Sequence, residues 1–239
     1  MGDKTQIGWT DATWNPVTGC TKLSEGCTNC YAEKVAKRLQ AMGSKRYKNG
    51  FDITLHEDAL SIPLKWKKPR MIFVNSMSDL FHDKVPLEFI QRVFDVMGRC
   101  PQHIFQVLTK RSERMQKLMG LDLPAHPNVW LGVTVESDYH YRRVQDLQYT
   151  TVGSVRFLSC EPLLSGLPKL DLRGIHWVIV GGESGPNARP MKEEWAVSIR
   201  DQCNEQQVPF FFKQMGGTDR NKGGKLLLGK SYNAFPTGM

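Results

Sequence analysis

From residue 71 onward, short apolar runs alternate with segments of helical periodicity, and this alternation limits the fold more than any other feature. Met71–Val74 is apolar throughout, and the segment after it repeats apolar residues every three or four positions from Leu87 to Met97. Continuous apolar strands separated by amphipathic helices are typical of a parallel sheet covered by helices. The later apolar runs are Ile104–Leu108, Val129–Val133, Val155–Leu158, Trp177–Val180 and Phe210–Phe212. With one strand near the N-terminus, the pattern predicts about seven mostly parallel strands in an α/β fold, a partial or near-complete (β/α) barrel.

Polar residues or glycines follow each predicted strand. The carboxyl ends of parallel strands meet at one edge of a sheet and carry the binding groups in such folds, so we expect a binding site there. The candidates are Ser76, Asp79, Thr109, Glu136, Glu161, Gly181, Gly182 and Glu183. The Gly181-Gly182-Glu183 stretch matches neither the Rossmann nor the P-loop spacing, and an ordinary strand-to-helix turn is its alternative interpretation. Lys110-Arg111 is typical of a solvated helix face.

Three cysteines, Cys20, Cys27 and Cys30, fall within eleven residues and directly precede a helical pattern over 32–39. Three thiolates can hold one metal ion or three corners of an iron–sulfur cluster, and either arrangement leaves one position open. Cys30 would lie at a helix N-terminus, where the helix dipole stabilises an anionic group.

A structural zinc knuckle is the alternative interpretation of the same cysteines. Its fourth ligand would be Asp11 or His56. No second cysteine or histidine pair stands at zinc-finger spacing, and a chain of 239 residues does not need zinc in order to fold. The other three cysteines lie in apolar segments, where a free cysteine is usually a small buried hydrophobe.

The composition indicates a globular protein with an anionic partner. No apolar run reaches the roughly 20 residues that cross a bilayer, and the N-terminus lacks a secretory apolar segment, so we expect a cytoplasmic protein without a membrane partner. The formal net charge of +8 favours DNA or RNA as a partner. A basic segment with an interleaved tryptophan is the candidate contact with nucleic acid: Lys65, Trp66, Lys67, Lys68 and Arg70.

The length is compatible with a single domain over residues 1–239. Within it we expect an N-terminal unit over 1–43 that holds the cysteines, a surface insertion over 44–70, and a tail over 215–239 that wraps over the barrel.

Several longer motifs resemble those of the phage-associated three-cysteine-motif proteins, a family of phages and bacteria that is similar to the radical SAM superfamily. The resemblance covers nearly the whole chain. The motifs are Trp9–Cys20, Gly26–Glu33, Leu158–Leu163, Val180–Gly185 and Phe212–Gln214.

The superfamily resemblance implies a partial β/α barrel with a [4Fe–4S] cluster on Cys20, Cys27 and Cys30. S-adenosylmethionine (SAM) would chelate the unique iron and be cleaved reductively to a 5′-deoxyadenosyl radical. This chain departs from the superfamily in two ways. The first cysteine gap is six residues instead of three, and the glycine-glycine-glutamate motif follows a late strand instead of the second one. Residues 76–79, which follow the second predicted strand, are therefore the positional candidates for contact with SAM.

The resulting expectation is a radical SAM-type iron–sulfur enzyme that needs an electron donor and acts on nucleic acid, in a repair or modification step resembling photoproduct lyase chemistry. The alternatives are a non-catalytic, zinc-containing nucleic-acid-binding protein and a radical enzyme that acts on a peptide or small metabolite. The sequence identifies no residue that acts on the substrate.

Overall fold

The structure, a computed structural model, describes residues 5–218 and 224–236. In chain order its elements are β1 (Ala12–Trp14), β2 (Val17–Thr18), α1 (Tyr31–Ala41), β3 (Thr54–Leu55), α2 (Glu57–Leu60), β4 (Met71–Val74), α3 (Leu87–Gly98), β5 (Ile104–Thr109), α4 (Ser112–Leu121), β6 (Val129–Thr134), α5 (Tyr141–Gln148), β7 (Arg156–Cys160), β8 (Trp177–Gly181), α6 (Glu193–Glu205) and β9 (Phe210–Gln214). Within these described ranges, no helix combines the length and apolarity needed to cross a membrane.

The main sheet has seven strands in the order β1-β4-β5-β6-β7-β8-β9. The pairs β1–β4, β4–β5, β7–β8 and β8–β9 are parallel. The strand order follows the chain without the reversal of a doubly wound sheet, which is the connectivity of the β/α barrel class. The order begins at β1 and ends at β9, so the sheet is that of a partial barrel. The predicted α/β fold with about seven parallel strands is confirmed.

The chain divides into two compact units. The first contains Met1–Leu131 and Thr150–Ser154, and the second contains Gly132–Tyr149 and Val155–Met239. The three candidate cysteines lie in the first unit, and the Gly181-Gly182-Glu183 stretch lies in the second. The single-domain organisation stays a prediction.

The core of the first unit includes buried residues of β1, β4, β5 and α3. Trp14, Ile72 and Phe105 are fully buried on the strands. The buried positions of α3 recur at helical spacing and are Phe89, Ile90, Val93, Phe94, Val96 and Met97. Burial of each such side chain stabilises the fold by roughly 1.5–3 kcal/mol before conformational entropy is counted. This core makes the carboxyl ends of β4 and β5 a firm base for the residues that follow them.

Residues 44–70, predicted as a surface insertion, help to hold the cysteine segment. β3 pairs antiparallel with β2. The carbonyl of Phe51 accepts the backbone N–H of Cys20 at 3.1 Å. Helix α1 buries Ala32 and Ala36 in a small apolar cluster with Tyr47 and Met77. The insertion therefore forms one wall around the loop between β2 and α1.

In the second unit, a described part of the tail extends the sheet. The backbone N–H of Phe212 donates to the carbonyl of Tyr232 at 2.8 Å, and Phe211 forms an antiparallel bridge with Asn233. The rings of Phe235 and Trp177 lie 5.0 Å apart. Residues 232–235 thus cover the edge of β9, while positions 219–223 and 237–239 of the predicted tail lie outside the described residues.

Gly19, directly before Cys20, occupies a position that tolerates no side chain. Its φ is +87°, and a Cβ there would lie 2.2 Å from the carbonyl oxygen of Asp52. We predict that Gly19→Ala lowers the free energy of unfolding by about 2–4 kcal/mol, because backbone strain adds to a clash with backbone atoms. The midpoint of urea unfolding measures this loss.

Gly43→Ala is the matched control. Gly43 also has a positive φ, +73°, but a Cβ there would meet nothing within 4 Å. The control should lose only about 1 kcal/mol. Equal losses in the two variants would show that the contact with Asp52 does not restrict Gly19.

Candidate functional site

The three clustered cysteines lie on the loop between β2 and α1 and are all half-buried, whereas Cys100, Cys160 and Cys203 are buried. Gly19 forms a parallel bridge with Ser78, which places the start of the loop beside the carboxyl end of β4. The structure therefore separates the two sets of cysteines as the sequence predicts, and the clustered set lies at the expected end of the strands.

Two consecutive turns set the spacing of the last two cysteines. The backbone N–H of Cys27 donates to the carbonyl of Ser24 at 2.9 Å, and that of Cys30 to the carbonyl of Cys27 at 3.3 Å. Cys30 is the N-cap residue of α1, and its own carbonyl accepts from Lys34 at 3.3 Å. The turns lead directly into the helix, so Cys30 has the position at the helix N-terminus that the periodicity predicts.

Arg111 connects this loop to the end of β5. Its Nη1 lies 3.8 Å from the Sγ of Cys20 and 3.3 Å from Oδ2 of Asp79. Its Nη2 donates to the carbonyl and hydroxyl oxygens of Thr21 at 3.4 and 3.1 Å. The Arg111 side chain is only 8% exposed. The interpretation of Lys110-Arg111 as a solvated helix face is wrong for Arg111, because tertiary contacts with the cysteine loop bury it.

Asp79 holds Arg111 in place. Its carboxylate accepts the hydroxyl of Thr109 at 2.7 Å and the backbone N–H groups of Phe81 and Lys110 at 3.0 and 3.1 Å. Together with Arg111, these donors occupy both carboxylate oxygens. Asp79 and Thr109, two predicted cofactor-binding residues, are therefore brought together, and in this arrangement they contact Arg111 and the backbone.

The electrostatic surroundings differ between two of the thiols. Burial raises the pKa of Cys20 to about 11, and nearby Asp79 adds to this increase while Arg111 opposes it. Burial also raises the pKa of Cys27, but backbone hydrogen bonds at Leu23 and Ser24 and the charge of Lys110 outweigh it, so that the pKa is lowered overall. Cys27 is therefore the more easily ionised thiol of the two.

Ser76 lies where the end of β4 meets the N-terminal segment. Its hydroxyl donates to Oδ1 of Asn15 at 3.2 Å, and its carbonyl accepts the hydroxyl of Tyr31. Asn75, directly before it, has a left-handed backbone with φ +59° and accepts the N–H of Val17 at 3.2 Å. These bonds fix the loop after β4 against both β2 and the first turn of α1.

In the second unit, two predicted carboxylates are paired with cations. Glu136 is fully buried and accepts Nη1 of Arg143 at 2.6 Å. Glu161 lies 2.9 Å from the Nζ of Lys213 and accepts the hydroxyl of Ser159 at 3.3 Å. Both carboxylates follow strands, as predicted, and their contact with a cofactor stays a prediction.

Gly181, Gly182 and Glu183 each have a packing role in the second unit. A Cβ at Gly181 would lie 2.6 Å from Oε1 of Glu161, and one at Gly182 would lie 1.9 Å from the carbonyl oxygen of Met215. Glu183 forms a two-point ion pair with Arg189, at 2.6 and 3.0 Å. These contacts are compatible with an ordinary turn, and contact of the stretch with a cofactor stays a prediction.

The basic segment Lys65, Trp66, Lys67, Lys68 and Arg70 lies at the opposite end of β4 from the cysteines. It precedes the strand, and the carbonyl of Arg70 accepts the N–H of Ile104 at the start of β5. The length of β4, about 13 Å, separates the segment from the residues after Val74. The Arg70 guanidinium lies 4.9 Å from the centre of the Trp66 ring. The structure does not bring this predicted nucleic-acid contact to the cysteine loop.

The proposed fourth zinc ligands are also engaged elsewhere. Asp11 lies at the amino end of β1, where its Oδ2 accepts the N–H of Met71 at 2.8 Å. His56 forms a 2.8 Å hydrogen bond with the hydroxyl of Thr18. Among residues 5–218 and 224–236, no three His, Cys, Asp or Glu side chains stand close enough together to hold one metal ion. Asp11 and His56 therefore both contact residues outside the cysteine loop.

The cysteine loop supplies the kind of ligand that an iron–sulfur cluster takes. A [4Fe–4S] cluster binds each thiolate to a different iron, so its ligands can stand farther apart than those of a single ion. Three half-buried thiols lie on one loop, with the cations Lys110 and Arg111 nearby, and positive charge offsets the negative charge of such a cluster. The loop has the ligand type and electrostatics that an iron–sulfur cluster requires.

We predict that Arg111→Gln loosens the cysteine loop. The loss of the contacts with Thr21 and Asp79 should lower the free energy of unfolding by about 1–3 kcal/mol and speed hydrogen exchange of the amides at 21–27 at least about tenfold. Exchange followed by mass spectrometry measures this effect.

Arg114→Gln is the control for that prediction. Arg114 belongs to α4 and donates to the carbonyls of Phe81 and Val85 at 3.3 and 2.8 Å and to that of His82. It reaches the cysteine loop only indirectly, through the His82 ring, which is hydrogen-bonded to the hydroxyl of Thr21 at 2.8 Å. It should destabilise the protein but speed exchange at 21–27 by less than about threefold, because it acts on the loop only through His82. Equal acceleration in the two variants would contradict a specific contact between Arg111 and the loop.

His56 should make the protein less stable in mild acid. Burial and the charge of Arg46 lower its pKa to about 4, whereas the unfolded chain takes up this proton near 6.5. Stability linked to His56 is therefore present above pH 6.5 and lost as the pH falls toward 4, by up to about 3 kcal/mol. In His56→Gln, the free energy of unfolding measured in urea should depend less on pH across this window. An unchanged pH dependence would contradict the role of His56.

The comparisons with known proteins give one family and a distant structural likeness. The model of a family described as a protein of unknown function, DUF5131, matches residues 4–236. No curated protein sequence matches the chain significantly. Among solved structures, the chain is similar to spore photoproduct lyase complexed with dinucleoside spore photoproduct (13% identity, TM-score 0.46, covering 79% of this chain and 59% of that one). It is also similar to a mutant of spore photoproduct lyase (15%, 0.49, 71% and 55%). The chain thus spans less than two thirds of the length of these structures.

Proposed function

The chain belongs to the DUF5131 family, and from this premise we propose that it is a radical SAM-type iron–sulfur enzyme. One observation carries the proposal: three half-buried thiols lie on a single loop at the carboxyl end of the first strands, with the Arg111 guanidinium 3.8 Å from the first of them. The resemblance of the cysteine motif and its flanks to the three-cysteine-motif proteins supports the same assignment.

Cys20, Cys27 and Cys30 would hold a [4Fe–4S] cluster and leave its fourth iron open to SAM. When bound, the cluster supplies the electron that cleaves SAM reductively. An external electron donor must reduce it. The protein's part is to hold, orient and shield these groups.

The residues around the loop have distinct tasks in this proposal. Arg111 and Lys110 place positive charge beside an anionic cluster, while Asp79 and Thr109 orient Arg111. Both oxygens of Asp79 are already occupied, so Asp79 acts through Arg111 and is a positioning residue. The hydroxyl and carbonyl of Ser76, at the end of β4, lie nearer the surface and remain candidates for contact with SAM.

Glu136, Glu161, Gly181, Gly182 and Glu183 belong to the second unit and stay predictions as contacts of SAM. Nucleic acid is the proposed substrate class, in a repair or modification step, and the net charge of +8 supports it. The phage association and the cytoplasmic location stay predictions as well.

Cysteine replacement combined with anaerobic reconstitution tests the proposal. We predict that Cys20→Ala, Cys27→Ala and Cys30→Ala each retain less than about a tenth of the wild-type iron and sulfide, because each removes one cluster ligand. These variants should also form no 5′-deoxyadenosine from SAM under reduction. Iron and sulfide assays and chromatography of the nucleoside products measure both effects.

Cys203→Ala is the control, because Cys203 is fully buried on α6 in the second unit, whereas the cysteine loop belongs to the first. It should retain iron and the cleavage of SAM. Tight uptake of zinc with no uptake of iron and sulfide by the wild type would overturn the proposal in favour of the zinc-binding alternative.

A further inference from the structure

The cysteine loop and α1 form a basic region separate from the segment Lys65–Arg70. Residues 20–51 contain seven basic and two acidic side chains, a net charge of +5. The acidic residues are Glu25 and Glu33, and Glu33 is paired with both Lys22 and Lys37. A region with this excess of positive charge attracts anionic partners.

The cations of α1 share one face of the helix. Ala32 and Ala36 are buried, and Lys34, Lys37 and Arg38 project from the opposite side, where all three are exposed. Residues three and four apart lie on one face of a helix, so these three side chains form a continuous basic surface. Because the buried face packs within the first unit, the basic face is directed to solvent.

Aromatic and apolar side chains accompany the charges. Tyr31 stands three and seven residues before Lys34 and Arg38, hence on the same side of α1, and it is 55% exposed. Leu23, on the cysteine loop, is 52% exposed. The Tyr31 hydroxyl bonds to the carbonyl of Ser76, which fixes the ring directly beside Cys30. The basic surface therefore begins with an aromatic ring at the last cysteine and extends about 10 Å along the helix to Arg38.

We infer that this α1 face, formed by Tyr31, Lys34, Lys37 and Arg38, binds the phosphate backbone of a nucleic acid and brings it to the cysteine loop. Proteins that bind single strands combine cations along the backbone with aromatic rings on which bases stack, and the α1 face has both beside the candidate centre. The inference rests on the proposed function in one respect: the proposed function explains why a substrate should approach the cysteines. Binding of nucleic acid to the α1 face does not itself require a cluster.

We infer that the α1 face makes the nucleic-acid contact beside the cysteines, whereas any contact by the segment Lys65, Trp66, Lys67, Lys68 and Arg70 stays a prediction. That segment lies at the amino end of β4, away from the cysteines, and Arg70 lies over the ring of Trp66.

Two charge-matched triple variants of the full-length protein test the inference. Lys34→Gln/Lys37→Gln/Arg38→Gln neutralises the α1 face, and Lys65→Gln/Lys67→Gln/Lys68→Gln removes the same charge from the other end of β4. Glutamine has nearly the helix propensity of lysine and arginine, so α1 should persist. Fluorescence anisotropy with a labelled single-stranded DNA oligonucleotide of mixed sequence, titrated over a range of salt concentrations, measures the affinity of each variant.

The α1 variant should bind at least about tenfold more weakly than the wild type, and the slope of log K against log salt should fall by about 2, because three phosphate contacts are lost. The Lys65–Lys68 variant should keep at least about half of the wild-type affinity. Equal losses in the two variants, a larger loss in the second, or no binding by the wild type would overturn the inference. Displacement of the oligonucleotide by polyglutamate as effectively as by unlabelled DNA would overturn it in favour of an acidic protein partner.

Iron and sulfide content of the same wild-type preparation separates this inference from the proposed function. A protein that takes up no iron but loses DNA binding only in the α1 variant would refute the radical enzyme and leave the α1 face as a nucleic-acid site. A protein that loads a cluster but binds DNA equally well in both variants would refute only the inference.

Discussion

The contact between the Arg111 guanidinium and the cysteine loop is the interaction on which the candidate centre depends. The guanidinium reaches Cys20, Thr21 and Asp79 at once and is 8% exposed. A buried ion pair adds little net stability, because desolvation offsets the attraction, but removing one partner is costly. We therefore infer that the ion pair between Arg111 and Asp79 serves mainly to position the loop. It fixes where the loop lies and places a positive charge beside the first thiol.

Several separate parts of the chain supply the other constraints on the loop. Gly19 allows the chain to pass close to the carbonyl of Asp52, and Phe51 accepts the N–H of Cys20. The packing of α1 against Tyr47 and Met77 sets the position of Cys30. The six-residue first gap is accommodated by a turn at Glu25–Cys27 that hydrogen-bonds within itself. These contacts thus accommodate the unusual spacing of the cysteines.

The strands and helices were predictable because burial imposes a simple period. Met71–Val74 is apolar throughout and is β4, and the apolar repeat from Leu87 to Met97 lies within α3. Tertiary contacts were not predictable in this way. Nothing local distinguishes Arg111 from an exposed helix residue, and its burial comes from Thr21 and Asp79, which are distant in sequence.

The place of the basic segment could have been predicted, since residues that directly precede a parallel strand lie at its amino end. Lys65 to Arg70 precede β4, and this order alone separates them from the cysteine loop. The basic face of α1 could also have been predicted from the spacing of Lys34, Lys37 and Arg38. The sequence also predicts that the polar strand ends share one site. The structure describes the contacts of Asp79 in the first unit and of Glu161 in the second. A joint role for these residues stays a prediction.

Electron paramagnetic resonance of the anaerobically reconstituted and reduced protein, recorded before and after addition of SAM, tests the central claim most directly. An open iron on a three-cysteine cluster predicts the signal of a reduced [4Fe–4S] centre that changes when SAM binds. A reduced-cluster signal that SAM leaves unchanged, or the absence of any iron signal in a protein loaded with zinc, would contradict the account.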